Sequence, residues 1–165
     1  FGDKEGLLKE AFARFTANAL AMLEVAPQPP AQRGLVPLVA DVAALVWRFS
    51  QTNQRLLQSS YAKALADDFY AGHLVALRRG VFELLHRQFL HHESEISHPQ
   101  PAVAIDFALR QAVAMLSARM EAGPLEVGAI DDALFVRELL RSILSYLQVP
   151  FTAQDIDRAL TARGL

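Results

Sequence analysis

The chain is predicted to be an all-α helical bundle of about seven helices, a prediction that rests on three observations. Apolar residues recur at helical spacing almost throughout the sequence. No segment shows the sustained alternation of a β-strand, and neither Asn-Gly nor Asp-Gly occurs to mark a hairpin. Proline or glycine stands at most of the breaks between the periodic segments. At 165 residues the chain has the size of one compact domain.

The breaks define the predicted helices in order. They cover residues 3–25, 37–51, 53–66, 68–96, 101–122, 131–147 and 152–164. The second segment is apolar almost all the way round, which is typical of a central, buried helix. Pro27 and Pro99 end the first and fourth helices, because proline lacks the amide that the helical ladder requires. Thr152 and Asp155 have capping-box spacing at the start of the last helix.

Composition narrows the class of protein. The chain contains no cysteine, which excludes disulfides, thiolate metal sites and cysteine nucleophiles. Its net charge of -2 gives no long-range attraction to nucleic acid or to an anionic membrane. Charged and polar residues interrupt every apolar run before the ~18 residues that a membrane span needs, so we expect a soluble protein. A cytoplasmic location is expected and is compatible with the absence of cysteine, and secretion is the alternative. A start at Phe1 without a signal peptide indicates a fragment of a longer chain.

The fifth and sixth helices each carry more apolar surface than one core can use. Ile105 and Leu109 lie on one stripe of the fifth helix, and Val103 and Phe107 lie on another. We therefore expect two helices from each of two subunits to form a four-helix bundle in a homodimer. Burial of both stripes in a larger monomeric core is the alternative, and which stripe would face the partner stays open. The predicted interface residues are Phe107, Gln111, Val136, Leu140, Leu144 and Leu147.

Three segments resemble one family. The opening Phe1-Gly-Asp-Lys-Glu-Gly-Leu-Leu8 resembles the junction in TetR-family transcriptional regulators where the recognition helix ends and the linking helix begins. Residues 95–101 (Glu-Ile-Ser-His-Pro-Gln-Pro), together with Phe107, resemble the turn before the dimerisation helices of that family. Residues 135–147 are similar to its final dimer helix.

The resemblance implies a ligand-responsive transcriptional regulator of repressor type, and not an enzyme. Residues 1–8 would end the helix-turn-helix domain and start the linking helix, and residues 9–165 would bind the effector and dimerise. DNA would be bound through residues upstream of Phe1, and Lys4 would contact a DNA phosphate, although a solvated surface lysine is the alternative. The alternative function is a helical small-molecule carrier or an enzyme that would use the apolar cavity in which a regulator of this family binds its effector.

The resemblance also implies an effector pocket for a small, mostly apolar molecule. His73 lies on an otherwise apolar face of the fourth helix and is expected to be the polar anchor of that pocket. Plain core packing is the alternative for each aromatic residue. Gly80 shares one face of the fourth helix with His73, and it indicates either close packing or room for a ligand. The predicted pocket residues are Phe15, Trp47, Phe69, Tyr70, His73, Leu77, Gly80 and Met115.

Neither a metal nor a cofactor is expected. The two Glu-x-x-His pairs, Glu83 with His86 and Glu95 with His98, fall on one predicted helix or at its end. A di-iron bundle needs such pairs on two helices that face a common centre. The adjacent run His91-His92-Glu93, with Glu95 and His98, is interpreted as a solvated helix end, and a surface metal site is the alternative.

Overall fold

The computed structural model describes residues 4–25, 34–122 and 130–165, and it describes the side chains of all of these except residues 22–25 and 120–122. All regular elements in these ranges are helical, which confirms the all-α class and the number of helices. The helices are α1 (Lys4–Val25), α2 (Leu35–Thr52), α3 (Gln54–Ala64), α4 (Asp68–Leu90), α5 (Pro101–Ala122), α6 (Asp132–Tyr146) and α7 (Ala153–Thr161). A 3₁₀ turn, Glu93–Glu95, follows α4.

The helix α3 ends at Ala64 instead of residue 66, and α7 ends at Thr161 instead of residue 164. Two further boundaries differ from the prediction with an identifiable cause. The helix α2 begins at Leu35, two residues early, because Pro37 is tolerated in a first turn. The helix α4 ends at Leu90, so its predicted extension to residue 96 was wrong. Both differences involve Glu95, whose Oε2 atom accepts a hydrogen bond from the Leu35 amide at 2.7 Å. This bond satisfies an amide at the start of α2 that has no partner within the helix.

The chain divides into two compact units. The first comprises Phe1–Gln28 and Asn53–Leu85, and so holds α1, α3 and most of α4. The second comprises Pro29–Thr52 and His86–Leu165, and so holds α2, the end of α4 and α5 to α7.

The core of the first unit is small and largely aromatic. Phe12, Tyr70 and Leu74 are buried at its centre. Half-buried side chains from α1, α3 and α4 pack around them, namely Leu8, Phe15, Leu56, Tyr61, Ala64 and Phe69. Three helices therefore meet on one cluster.

The core of the second unit is built on α2, against which both α6 and α7 pack. The helix α2 buries seven apolar side chains: Leu35, Leu38, Val39, Ala40, Ala43, Ala44 and Trp47. Its Leu45 is 60% exposed, so one face of α2 points outward. The helix α2 is therefore central within its unit, as predicted. The helix α5 joins this unit through its contact with α6.

Local signals set the start of the last two helices. The Asp131 carboxylate accepts a hydrogen bond from the Leu134 amide at 2.8 Å and caps α6. Thr152 and Asp155 form the predicted capping box at α7, in which each side chain bonds the other residue's amide. Beyond α7, the Arg163 guanidinium bonds Asp41 at 2.7 Å and the Pro37 carbonyl at 2.9 Å, both on α2.

Candidate functional site

Five rings of the first unit form an aromatic cluster. Phe12 and Phe15 come from α1, three residues apart. On α4, Phe69 and Tyr70 precede His73 by four and three residues, so each shares a helix face with it. The Phe12 ring lies 5.4 Å from Tyr70, and the Phe69 ring lies 4.5 Å from His73, measured between centroids. Phe12 and Tyr70 are fully buried, whereas Phe15, Phe69 and His73 are half-buried. One part of the cluster is thus closed to solvent, and the other part is partly exposed.

A polar pair crosses this aromatic cluster from α1 to α4. The Thr16 hydroxyl lies 3.0 Å from His73 Nδ1, and Thr16 itself is only 2% exposed. The same hydroxyl lies 3.1 Å from the Phe12 carbonyl and 3.0 Å from the Ala13 carbonyl. Thr16 therefore orients the imidazole from within an apolar setting.

Four charged side chains adjoin the cluster and form what we call the charged rim: Glu5, Lys9, Lys63 and Asp67. Lys63 Nζ lies 2.5 Å from Glu5, and Lys9 Nζ lies 2.6 Å from Asp67. Both ammonium groups also lie over aromatic rings, Lys9 at 5.4 Å from the Phe69 centroid and Lys63 at 5.3 Å from the Tyr70 centroid. Each cation is thus matched by one carboxylate.

The Tyr70 hydroxyl joins the aromatic cluster to the charged rim by donating to Glu5 Oε1 at 3.0 Å. Burial, and then the neighbouring Glu5 carboxylate, raise the pKa of Tyr70 to about 12. Hydrogen bonds from Lys63 and from Tyr70 lower the pKa of Glu5. The hydrogen bond from Lys9, followed by that from the Phe69 amide, lowers the pKa of Asp67. The start of α1 is in this way tied to α3 and α4.

The structure gathers four of the predicted pocket residues, Phe15, Phe69, Tyr70 and His73, into the cluster. Trp47 and Met115 belong to the second unit, where Trp47 packs on Phe135 with centroids 5.4 Å apart and Met115 is half-buried on α5.

Leu77 and Gly80 lie farther along the same stripe of α4. Leu77 is 8% exposed. The Leu20 side chain occupies the space where a Cβ of residue 80 would lie. This contact favours the close-packing alternative over the cavity at Gly80.

The prediction omitted three residues that complete the site. Thr16 is a polar residue one turn beyond Phe12 on an otherwise apolar stripe of α1, which is a readable signal. Phe12 lies on the same stripe, and its sequence context does not distinguish it from an ordinary core residue. Glu5 gave no signal, because its partners Lys63 and Tyr70 lie 58 and 65 residues away.

The α6 residues predicted at the dimer interface are covered by the chain itself. Val136, Leu140, Leu144 and Leu147 are each 0% exposed, because α6 is packed by α2, α5 and α7. Their assignment to the interface is corrected accordingly. The Gln111 amide is half-buried and donates to the Ser142 hydroxyl at 3.1 Å.

Two large exposed apolar side chains of the second unit lie on α5, besides Leu45 on α2, Ile130, and Leu134 on α6. Phe107 is 52% exposed and Val103 is 58% exposed. Tyr146 stacks on Phe107 at 4.9 Å, and His98 stacks on Tyr146 at 5.7 Å. We call these four residues the α5 apolar face.

Within the described ranges, one stretch, Pro101–Arg119 on α5, is long and apolar enough by length and composition to cross a membrane. A third of it is buried against the rest of the chain. Asp106 and Arg110 form an ion pair in the middle of it, with Nε and Oδ2 2.8 Å apart. Core helices of folded domains meet the same criterion, so the stretch is weak evidence for a membrane.

The histidine-rich end of α4 differs from the prediction. His92 is only 5% exposed, and its Nδ1 atom lies 2.7 Å from Glu95 Oε1. The other Glu95 oxygen bonds the Leu35 amide, so this carboxylate links His92 to the start of α2. The interpretation of this run as a solvated helix end was therefore wrong for His92. Among the described residues, no three His, Asp or Glu side chains are grouped closely enough to hold a metal.

Lys4 lies exposed at the first residue of α1.

No family model matches the chain, and no curated protein or solved structure matches it either. The resemblance of the opening octet thus stays a prediction, and function has to be argued from the residues described above.

Proposed function

We propose that this chain is the effector-binding and dimerisation part of a ligand-responsive transcriptional repressor similar to the TetR family. The observation that carries the proposal is the hydrogen bond from Tyr70 to Glu5, with an O···O distance of 3.0 Å. Tyr70 belongs to the aromatic cluster, and Glu5 belongs to the opening octet that resembles the junction with a DNA-binding domain. One bond therefore joins the candidate ligand site to the part of α1 nearest that junction.

The proposal assigns a sensing role to the aromatic cluster. A small, mostly apolar effector that packs against the cluster would favour one position of Tyr70 over another. A ligand shifts an equilibrium only when it binds one state better than the other. Because Glu5 also bonds Lys63, a change at Tyr70 would alter how the first turn of α1 is held.

The proposal further assigns homodimerisation to the second unit and DNA contact to residues upstream of Phe1. The proposed regulator acts in the cytoplasm, and it needs neither catalysis nor a cofactor. The α5 apolar face is the surface best suited to a second copy. Large apolar side chains that are half exposed and adjacent are typical of interaction sites. Phe107 remains the predicted centre of that interface.

The proposal is tested by the DNA affinity of the full-length gene product. Lys4→Gln is expected to weaken binding to all DNA sequences alike and to reduce the salt dependence by about one counterion, as loss of a phosphate contact does. Arg14→Gln is the matched control, because Arg14 is an exposed basic residue of the same helix that already pairs with Glu10 at 2.7 Å. Fluorescence anisotropy across a salt series measures both quantities.

A full-length product that lacks a basic helix-turn-helix before Phe1, or that binds no DNA, would overturn the proposal. Equal effects of Lys4→Gln and Arg14→Gln would remove the phosphate contact from it.

A further inference from the structure

We propose that the aromatic cluster takes a neutral aromatic molecule carrying one hydrogen-bond donor, of the phenol or indole class, whose donor bonds His73 Nε2. The inference rests on the proposed function and adds to it the chemical class of the effector. Three observations support it: the hydrogen bonding of Thr16, the unequal burial of the rings and the pairing of the charged rim.

The hydrogen bonding of Thr16 determines what His73 offers a ligand. A threonine hydroxyl has one hydrogen, and inside a helix it commonly donates to a carbonyl three or four residues back. Both the Phe12 and the Ala13 carbonyl are within reach. With that hydrogen used, the 3.0 Å contact requires His73 Nδ1 to donate to the Thr16 oxygen. In the neutral imidazole, Nε2 is then an acceptor, so it selects a ligand with an O–H or N–H group.

The unequal burial of the rings indicates where a ligand can pack. Phe12 and Tyr70 are closed off, but Phe15, Phe69 and His73 each keep part of their surface exposed. Aromatic rings attract one another in tilted or offset geometries with centroids roughly 4.5 to 7 Å apart. The cluster already uses this range, from 4.5 Å for Phe69–His73 to 6.0 Å for Phe12–Phe15. In the proposed complex, the ligand ring packs against the exposed parts of Phe69 and His73 in the same range.

The charged rim favours a neutral ligand. Two cations and two anions are matched as pairs at 2.5 and 2.6 Å, so their charges cancel. An anionic ligand would compete with Glu5 or Asp67 for a lysine, and a cationic ligand would compete with the lysines. A neutral ring leaves both pairs intact.

The experiment compares phenol with anisole on the full chain, because the two molecules have similar rings but anisole cannot donate a hydrogen bond. Binding is measured by titration in ¹⁵N-histidine NMR, with benzoate as the charged comparison. Phenol is expected to shift the His73 nitrogen resonances, with anisole and benzoate at least tenfold weaker. Before any ligand is added, the same spectra should show His73 protonated on Nδ1. This measurement uses the unmodified chain, so it does not depend on whether a variant folds.

His73→Phe should abolish the preference for phenol over anisole, because it keeps a ring and removes the acceptor. His91→Phe, the same change at an exposed histidine at the end of α4, should leave the preference intact. Equal binding of phenol and anisole to the unmodified chain, no binding of phenol, or a proton on Nε2 would overturn the inference. Identification of an aliphatic or charged effector would also overturn the inference. It would not overturn the proposed regulator, because DNA binding tests that function independently.

Discussion

At the scale of single residues, Tyr70 holds an unusual position, with a fully buried ring and a hydroxyl bonded to a carboxylate. Such a phenol resists ionisation, and this gives it a measurable effect on stability. The unfolded chain releases this proton near the ordinary pKa of 10.0, whereas the folded chain keeps it up to about 12. The free energy of unfolding should therefore be unaffected by Tyr70 ionisation below pH 10 and should fall as pH rises from 10 to 12.

Tyr70→Phe should remove that part of the alkaline loss, as measured by urea unfolding at a series of pH values. Tyr61→Phe, on α3, is the comparison and should retain it. Tyrosinate absorbance gives an independent readout, since Tyr70→Phe should delete the step at the highest pH. A variant that loses stability between pH 10 and 12 as steeply as the parent would contradict the assignment.

At the scale of helices, α4 contains two glycines in different surroundings. Gly72 is exposed, and a Cβ there would meet no described atom within 4 Å, whereas at Gly80 it would overlap the Leu20 side chain. Gly72→Ala should raise the free energy of unfolding by about 0.5–1 kcal/mol, because alanine loses less backbone entropy in a helix. Gly80→Ala should give no such gain or a net loss, because overpacking costs about 1–3 kcal/mol.

Chemical denaturation of the two variants beside the parent chain makes this comparison within a single helix. Equal stabilisation by Gly72→Ala and Gly80→Ala would show that Leu20 leaves room at residue 80, and would restore the cavity alternative there.

Helix boundaries were predictable where their causes are local. The start of α5 at Pro101, the Thr152 capping box and the Asp131 cap can all be read from adjacent residues. The end of α4 was not predictable in this way, because Glu95 turns from the helix to bond an amide 60 residues earlier. Periodicity alone extends a helix until something local stops it.

The candidate site was predictable to the same extent. Helical spacing placed Phe69 and His73 on one face of α4, and the structure keeps them together. Trp47 was grouped with them on its aromatic chemistry and on the family resemblance. Apolar periodicity shows that a helix has a buried face but not which helices cover it, so the pairing of Trp47 with Phe135 carried no sequence signal. The same gap placed Leu144 at an interface instead of in the core.

At the scale of the whole molecule, the proposed homodimer predicts opposite outcomes for two charged substitutions. Phe107→Glu should convert a dimer into a monomer that remains helical, because Phe107 is 52% exposed on its own chain. Leu144→Glu should instead unfold the chain, because it places an unpaired charge where the side chain is 0% exposed. Val75→Glu, at a 64% exposed position of the first unit, is the control and should change neither property.

Analytical ultracentrifugation and circular dichroism distinguish these outcomes. A parent chain that sediments as a monomer at high micromolar concentration would refute the dimer, whatever the variants do.

The bond between Arg163 and Asp41 has a consequence for synthesis on the ribosome. The two residues are 122 positions apart, and the Arg163 side chain is only 14% exposed in the finished fold. At translation rates of about 5–20 residues per second, α2 emerges on the order of ten seconds before its partner on the far side of α7. The helices α6 and α7, which cover its apolar face, also follow late. During that interval the nascent chain exposes the most apolar segment of the second unit, so newly made protein should depend on chaperones more than chain refolded at full length.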